Sequence, residues 1–379
     1  MNRDVIALLG EARPAGLDPA PDTERRARDL HDAMAGPFEK RRTARPRRRL
    51  TIGFGVVAVG AAASVAVATV GHGTRAPSTP TVRQTELSAR QVLLAAANTA
   101  EKEPVGRYWR VHYVGGQGYR VGGAGAGGYQ VYLSDEFDRW TPGNPDKDDQ
   151  VIYGRGRPSG PLTAADRAAW RKAGSPDHWR VTSNGDPLTL TRKAEPWNAD
   201  RTTPAERARS LAEMRKMCAS PPPGTNAGKP CEKAKVIENS SPASGFEAFE
   251  QRLAQSGGSG SSPLMTAYDF LTGTAVAPAD RAKAFRLLAG LPGVRVVGAV
   301  RDAYGRPGIG LSASQRMRDG SGTLVDYQLI LDPKTYEIRG DQKVVVTPGG
   351  HDRGMRPGTV HMYDVILFSG WTNDSPHHA

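Results

Sequence analysis

Apolar and polar positions fall into three regimes along the chain. From Leu50 to Val70 run 21 residues without a charge. As a helix rising ~1.5 Å per residue they span roughly 31 Å, about the thickness of a bilayer core. A transmembrane helix is therefore expected over residues 50–70. Before it, residues 1–49 are polar except for Val5–Leu9 and the set Leu30, Met34 and Phe38. The spacing of four places that set on one helical face, although Gly36-Pro37 ends such a helix early. It suits a face for a cytoplasmic partner, an element on the membrane surface, or a weakly ordered tail. After the run, residues 71–87 form a Pro/Thr/Ser linker, and mixed helical and alternating patterns fill residues 88–372. The polar tail 373–379 is expected to be loose.

Within residues 88–372 the helix signals come first. Ser88 and Gln91 form a capping box ahead of "VLLAAANTA". "RYWRVHYV" and "YQVYLSDEF" read as strands joined by a glycine-rich loop. Helices follow at Leu162–Gly174, with Thr163 as cap, and at Thr203–Met217, where Thr203 caps, Pro204 takes the first helical position and Glu206 closes the box. Two more are expected, one from Ser244 and Glu247 through Leu253 and one in "PADRAKAFRLLAGL". The last third alternates as strands at Val294–Val300, Gly308–Ser314, Leu324–Asp332, Tyr336–Val346 and Val360–Ser369. Asp332-Pro333-Lys334 joins two of them as a hairpin. Short turns between consecutive strands mean an antiparallel sheet. The expected fold class is α+β: one curved antiparallel sheet packed on helices, which are inserted between its first and last strands.

Charge then sets a direction. The net charge is +12, and residues 1–49 hold 12 Lys/Arg against 8 Asp/Glu. Arg41, Arg42, Arg45, Arg47, Arg48 and Arg49 crowd the N-terminal flank of the apolar run, with no acid between Lys40 and Arg49. Positive flanks stay inside, so residues 1–49 are expected in the cytoplasm and the rest outside the cell membrane. A buried helix of a soluble domain and a signal peptide cleaved after Ala68 are the competing readings. Gly60, Ser64 and Ala68 form a small-residue row of the kind that brings spans together, although an alanine-rich run makes such a row by chance. The remaining basic excess is diffuse, which argues against a nucleic-acid partner.

Candidate chemistry is sparse. The two cysteines, Cys218 and Cys231, bracket a Pro/Gly loop, and in an oxidising compartment they are expected to form a disulfide. Such a crosslink contributes about 3 kcal/mol in the chain-entropy model. Free thiols and a metal site are the alternatives; no His lies near either Cys to add a ligand. Gly123, Gly125 and Gly128 match G-x-G-x-x-G, but a strand follows instead of the helix that would hold a phosphate. No G-x-S-x-G, H-E-x-x-H or calcium loop occurs. No cofactor, no metal and no enzymatic activity is expected. The six Trp are expected to pack in the core more than to line a pocket.

"SARQVLLAAANTAEKEPVGRYWRVHYV", "FLTGTAVAPADRAKAFRLLAGLPGVRVVGAVRDAYGRPGIGLS" and "YQLILDPKTYEIRG" resemble an actinobacterial family of single-pass membrane proteins of unknown function. The likeness covers the two ends of the outer domain. Members are often encoded beside extracytoplasmic-function sigma factors. Their outer domains look similar to the half-barrels of lipoprotein carriers and sigma regulators. The resemblance implies a regulatory or sensory role with a lipid, peptide or protein partner, and a sigma factor as cytoplasmic partner. The alternative it implies is a carrier-like transport or envelope-assembly module without signalling. Zinc-type anti-sigma heads use His and Cys ligands, and residues 1–49 hold only His31. Sigma-factor contact would need another mode, through Val5–Leu9 or Leu30, Met34 and Phe38.

Overall fold

Ser88 opens the first helix, α1 (Ala89–Ala100), as its spacing to Gln91 requires. Its Oγ accepts from the Gln91 backbone N–H at 3.2 Å, while Gln91 Oε1 accepts from the Ser88 N–H at 2.8 Å. Val92, Leu93, Ala96, Ala97 and Ala100 then form the buried stripe. This computed structural model describes residues 87–122, 128–183, 186–220, 245–256, 262–317 and 321–377, all within one compact unit. The apolar run Leu50–Val70 with its arginines, the set Leu30, Met34 and Phe38, and Cys231 lie outside the described residues. Among those described, no helix is long and apolar enough to cross a membrane.

Eleven strands follow the expected order with four additions. They are β1 (Tyr108–Val121), β2 (Tyr129–Pro142), β3 (Gln150–Gly160), β4 (His178–Ser183), β5 (Asp186–Thr191) and β6 (Asn198–Thr202), then β7 (Arg295–Arg301), β8 (Pro307–Arg316), β9 (Leu324–Leu331), β10 (Ile338–Thr347) and β11 (Val360–Thr372). Nine of them form one antiparallel sheet in the order β6-β3-β2-β1-β11-β10-β9-β8-β7. The first and last long strands are therefore central neighbours, with Tyr108 opposite Thr372 and Gln117 opposite Met362. β4 and β5 make a separate hairpin. The fold is α+β, as the alternation and short turns predict.

Five further α-helices are described: α2 (Ala164–Lys172), α3 (Pro204–Ala219), α4 (Gly245–Gln255), α5 (Pro263–Gly273) and α6 (Pro278–Ala289). Thr163 and Thr203 cap α2 and α3, with Pro204 at the start and Glu206 completing the box. Gly174 stops α2 with φ of 87°, a conformation glycine adopts without strain. Ser262 caps α5, which pattern reading does not reveal. Helices α1, α4, α5 and α6 share one core with Trp109, Val111 and Tyr113 of β1, Leu311 of β8, Tyr327 and Leu329 of β9 and Ile366 of β11. Phe249 and Phe270 stack at 4.4 Å within it. The helices thus cover one face of the sheet. The tail is tied down: Tyr153 donates to the Pro376 carbonyl at 3.2 Å, and His377 lies 5.5 Å from the Trp140 ring.

Candidate functional site

The helix-covered face is mainly apolar but carries polar side chains in a few adjacent rows. Cross-strand pairing sets Asp341 of β10 beside Asp364 of β11, then Gly115 of β1 and Asp135 of β2. The next row holds Lys343, Met362, Gln117 and Leu133. Parity explains the placement: Tyr113, Gly115 and Gln117 share the face that carries Trp109 and Val111 into the core. Gly115 is glycine because a Cβ there would sit 2.7 Å from Asp364 Oδ1.

The carboxylates are held by backbone and phenols. Asp341 Oδ2 accepts from Tyr327 at 3.0 Å, and its Oδ1 accepts from the Asp364 backbone N–H at 3.2 Å. Asp364 Oδ2 accepts from Tyr268 of α5 at 3.2 Å. Asp341 and Lys343 are buried, and Tyr268 and Tyr327 almost wholly so. Next to Tyr268 in sequence, Asp269 remains solvent-exposed. The row therefore has an acidic neighbour on α5 that water reaches.

Burial controls the protonation of this cluster. It pushes the Asp364 carboxyl up to about 6, against the Tyr268 hydrogen bond and the charges of Lys343 and Arg139. Burial and the Asp364 charge raise Asp341 well above the ordinary carboxylate range, although Tyr327 and Lys343 oppose this. Burial raises both phenols, so Tyr268 and Tyr327 stay protonated donors. The site can hold protons near neutral pH and exchange them for a cationic or hydrogen-bonding group.

Other groupings offer less. Among the described residues no set of three His, Cys, Asp or Glu could hold a metal. His361, Asp352 and Thr323 are buried together: Thr323 donates to Asp352 Oδ2 at 2.8 Å and His361 Nε2 lies 3.2 Å from the same oxygen. A nucleophile triad needs the imidazole between hydroxyl and carboxylate. Here the carboxylate is in the middle and no surface reaches it, so the trio fastens the 350–354 turn to β11. A cleft of about 390 Å³ lies at the other end of the sheet, lined by Val105, Gly106, Arg107, Gly143, Asp148 and Trp371 among others. It is mostly apolar, with the Arg107–Asp148 pair joined at 2.6 Å.

The described residues singled out by sequence stand apart from this row. Cys218 lies on the last turn of α3, and its expected partner Cys231 is outside the described residues. Trp109, Trp140 and Trp179 are buried, and Trp170 packs against the Trp179 cluster. Trp371 both packs on the main core and lines the cleft. Sequence reasoning missed Asp341, Asp364 and Asp269. The available signal was an acid at a core-facing parity position, as in "VHMYDVILFS". No protein-family model, curated protein or solved structure matches this chain.

Proposed function

We propose that this chain is a membrane-anchored regulatory or sensory protein whose extracytoplasmic domain binds a partner on the helix-covered side of its sheet. The span over 50–70, the cytoplasmic head with Leu30, Met34 and Phe38, the sheet's half-barrel curvature and the Cys218–Cys231 crosslink all belong to this proposal. So does the link to a cytoplasmic sigma factor.

The observation that supports it is the polar row Asp341–Asp364–Gly115–Asp135 with Asp269 beside it. A layer serving stability alone would fill that row with apolar side chains, because buried carboxyls weaken a core unless paired. Carboxyls whose hold on a proton is strengthened by burial suit a ligand that brings an amine or a set of hydroxyls. A peptide amine or an amine-bearing lipid headgroup has that chemistry. The apolar cleft at Trp371 favours a second reading, a carrier-like transport or assembly module that takes an acyl chain without signalling.

A crosslinking pull-down from native membranes separates the two. The intact protein is compared with a form lacking residues 1–39 and with the double variant Asp341→Asn/Asp364→Asn. Recovery of a sigma factor by the intact form alone supports regulation. A drop of tenfold or more in envelope partners for the double variant supports the polar row as their site. Equal recovery of envelope partners by all three forms, with no sigma factor, overturns the regulatory reading.

A further inference from the structure

The opposite face of the sheet carries basic and aromatic side chains instead. On β1, β2 and β3, cross-strand pairing sets His112 beside Asp138 and Tyr153, Val114 beside Glu136 and Arg155, and Gly116 beside Ser134 and Arg157. Glu136 is a hub: His112 Nε2 lies 3.0 Å from its Oε1, while Oε2 accepts from Arg155 at 2.9 and 2.6 Å and from Arg157 at 3.3 Å. Burial alone would raise the Glu136 carboxyl; the Arg155 and His112 hydrogen bonds and the Arg155 and Arg157 charges outweigh it and hold it below the usual range. The Arg155 guanidinium lies 4.6 Å over the Trp197 ring.

Three features set the arginines apart from an ordinary ion-pair network. First, the Glu136 side chain is only 7% exposed, whereas Arg155 and Arg157 are 36% and 35% exposed. The cations therefore stand between the buried acid and solvent. Second, Arg157 gives Glu136 one long hydrogen bond, and its other N–H groups meet no protein acceptor among the described residues. Third, among the described residues Arg110, Arg155 and Arg157 form ion pairs with Glu136 and Asp138, three cations on two carboxylates, which leaves an excess positive charge before His112 is counted. Tyr304, 41% exposed, lies close enough for the Arg157 charge to act on its phenol. A second copy of this face is a poor occupant, because it would set arginines against arginines.

We propose that Arg157 and Arg155, ordered by Glu136 and Trp197, form a binding site for a phosphate group on the open face of the sheet. A guanidinium fork matches phosphate geometry in a way that a lone ammonium does not. Stacking and the Glu136 bonds fix the Arg155 rotamer before the ligand arrives, which lowers the entropy cost of binding. Glu136 acts as an internal competitor that the phosphate partly displaces. The phosphate can come free from solution or on a lipid headgroup.

The test uses the full chain in a non-ionic maltoside detergent, which brings no phosphate of its own. Inorganic phosphate is titrated while the arginine Nε–H resonances are followed by NMR. Expected are saturable shifts of the Arg155 and Arg157 signals, binding at least tenfold weaker in Arg157→Gln, and binding at least threefold tighter in Glu136→Gln. Arg157→Lys keeps the charge but loses the fork, and is expected to bind several-fold more weakly. This variant carries the test if Glu136→Gln fails to fold. The proposal is overturned if wild type and Glu136→Gln both show no saturable shift, or if Arg157→Gln binds as wild type does. Nanodiscs of phosphatidylglycerol, compared with phosphatidylcholine, identify the source. Shifts in the former without added phosphate assign the site to headgroups; silence there, with shifts on free phosphate, assigns it to a soluble ligand.

Discussion

Gly116 shows how tightly single positions are set in the central strands. A Cβ there would lie 2.4 Å from the Tyr363 ring, and Tyr363 is 3% exposed and bonded through its hydroxyl to Ser134 Oγ at 2.8 Å. The ring cannot retreat without losing that bond. Gly116→Ala should therefore destabilise the domain by about 1–3 kcal/mol, an overpacking cost; urea unfolding of wild type and variant measures it. The carboxyl row makes a second prediction at this scale. Asp364 moves from an ordinary 3.8 to about 6 on folding, and Asp341 moves in the same direction. The folded state thus binds protons more tightly than the unfolded chain. Its contribution to stability is present at low pH and is lost as pH rises from about 4 through 6. Unfolding free energy measured across that window should fall more steeply for wild type than for Asp364→Asn. Equal slopes would mean that the row does not titrate there.

At the scale of elements, capping and alternation were legible and register was not. Ser88, Thr163 and Thr203 announce their helices by local spacing, and the structure places each as the cap. β3 escapes pattern reading because "QVIYGRGRPSG" breaks alternation with arginine, glycine and proline. Those arginines face the open side of the sheet, where no apolar partner is needed. α5 escapes because "PLMTAYDFLTG" is apolar on nearly all sides, and burial among other helices erases the period. Of the carboxyl row, only the acid at a core-facing position of "VHMYDVILFS" was open to reading; the row itself was not. It is made by register between strands whose pairing depends on the complete sheet.

Two of the capped helices, α1 and α3, should also respond differently to loss of the cap. α1 buries a full stripe, whereas α3 has no buried residue. Removing a serine or threonine cap costs about 1 kcal/mol of helix stability. Ser88→Ala should lower global stability by about that amount, seen in denaturant unfolding. Thr203→Ala should leave the global transition nearly unchanged and speed amide exchange only along α3.

At the scale of the molecule, β11 joins two meanders. Its neighbours are β1 on one side and β10 on the other, and it contributes Asp364 to the carboxyl row and Phe368 to the open face. Arg107 near the start of the domain donates to Asn373 Oδ1 at 3.1 Å across 266 residues of sequence. A chain stopped at Gly358 should lose cooperative thermal unfolding altogether, because both halves then keep a long unpaired edge in the middle of the sheet. Circular dichroism on heating distinguishes that outcome from a merely weakened domain.

The same closure sets an order in time. Neither half can pair with the other until the last strand is available, so the decisive step joins residues at opposite ends of the chain. Loop closure over such a distance comes late, and assembly governed by non-local pairing is slow. While β11 is still being synthesised, the inner edges of β1 and β10 stand open as templates for the wrong strand. The interval between the first helix and the final strand is thus the period in which this protein is most vulnerable to aggregation and to proteolysis.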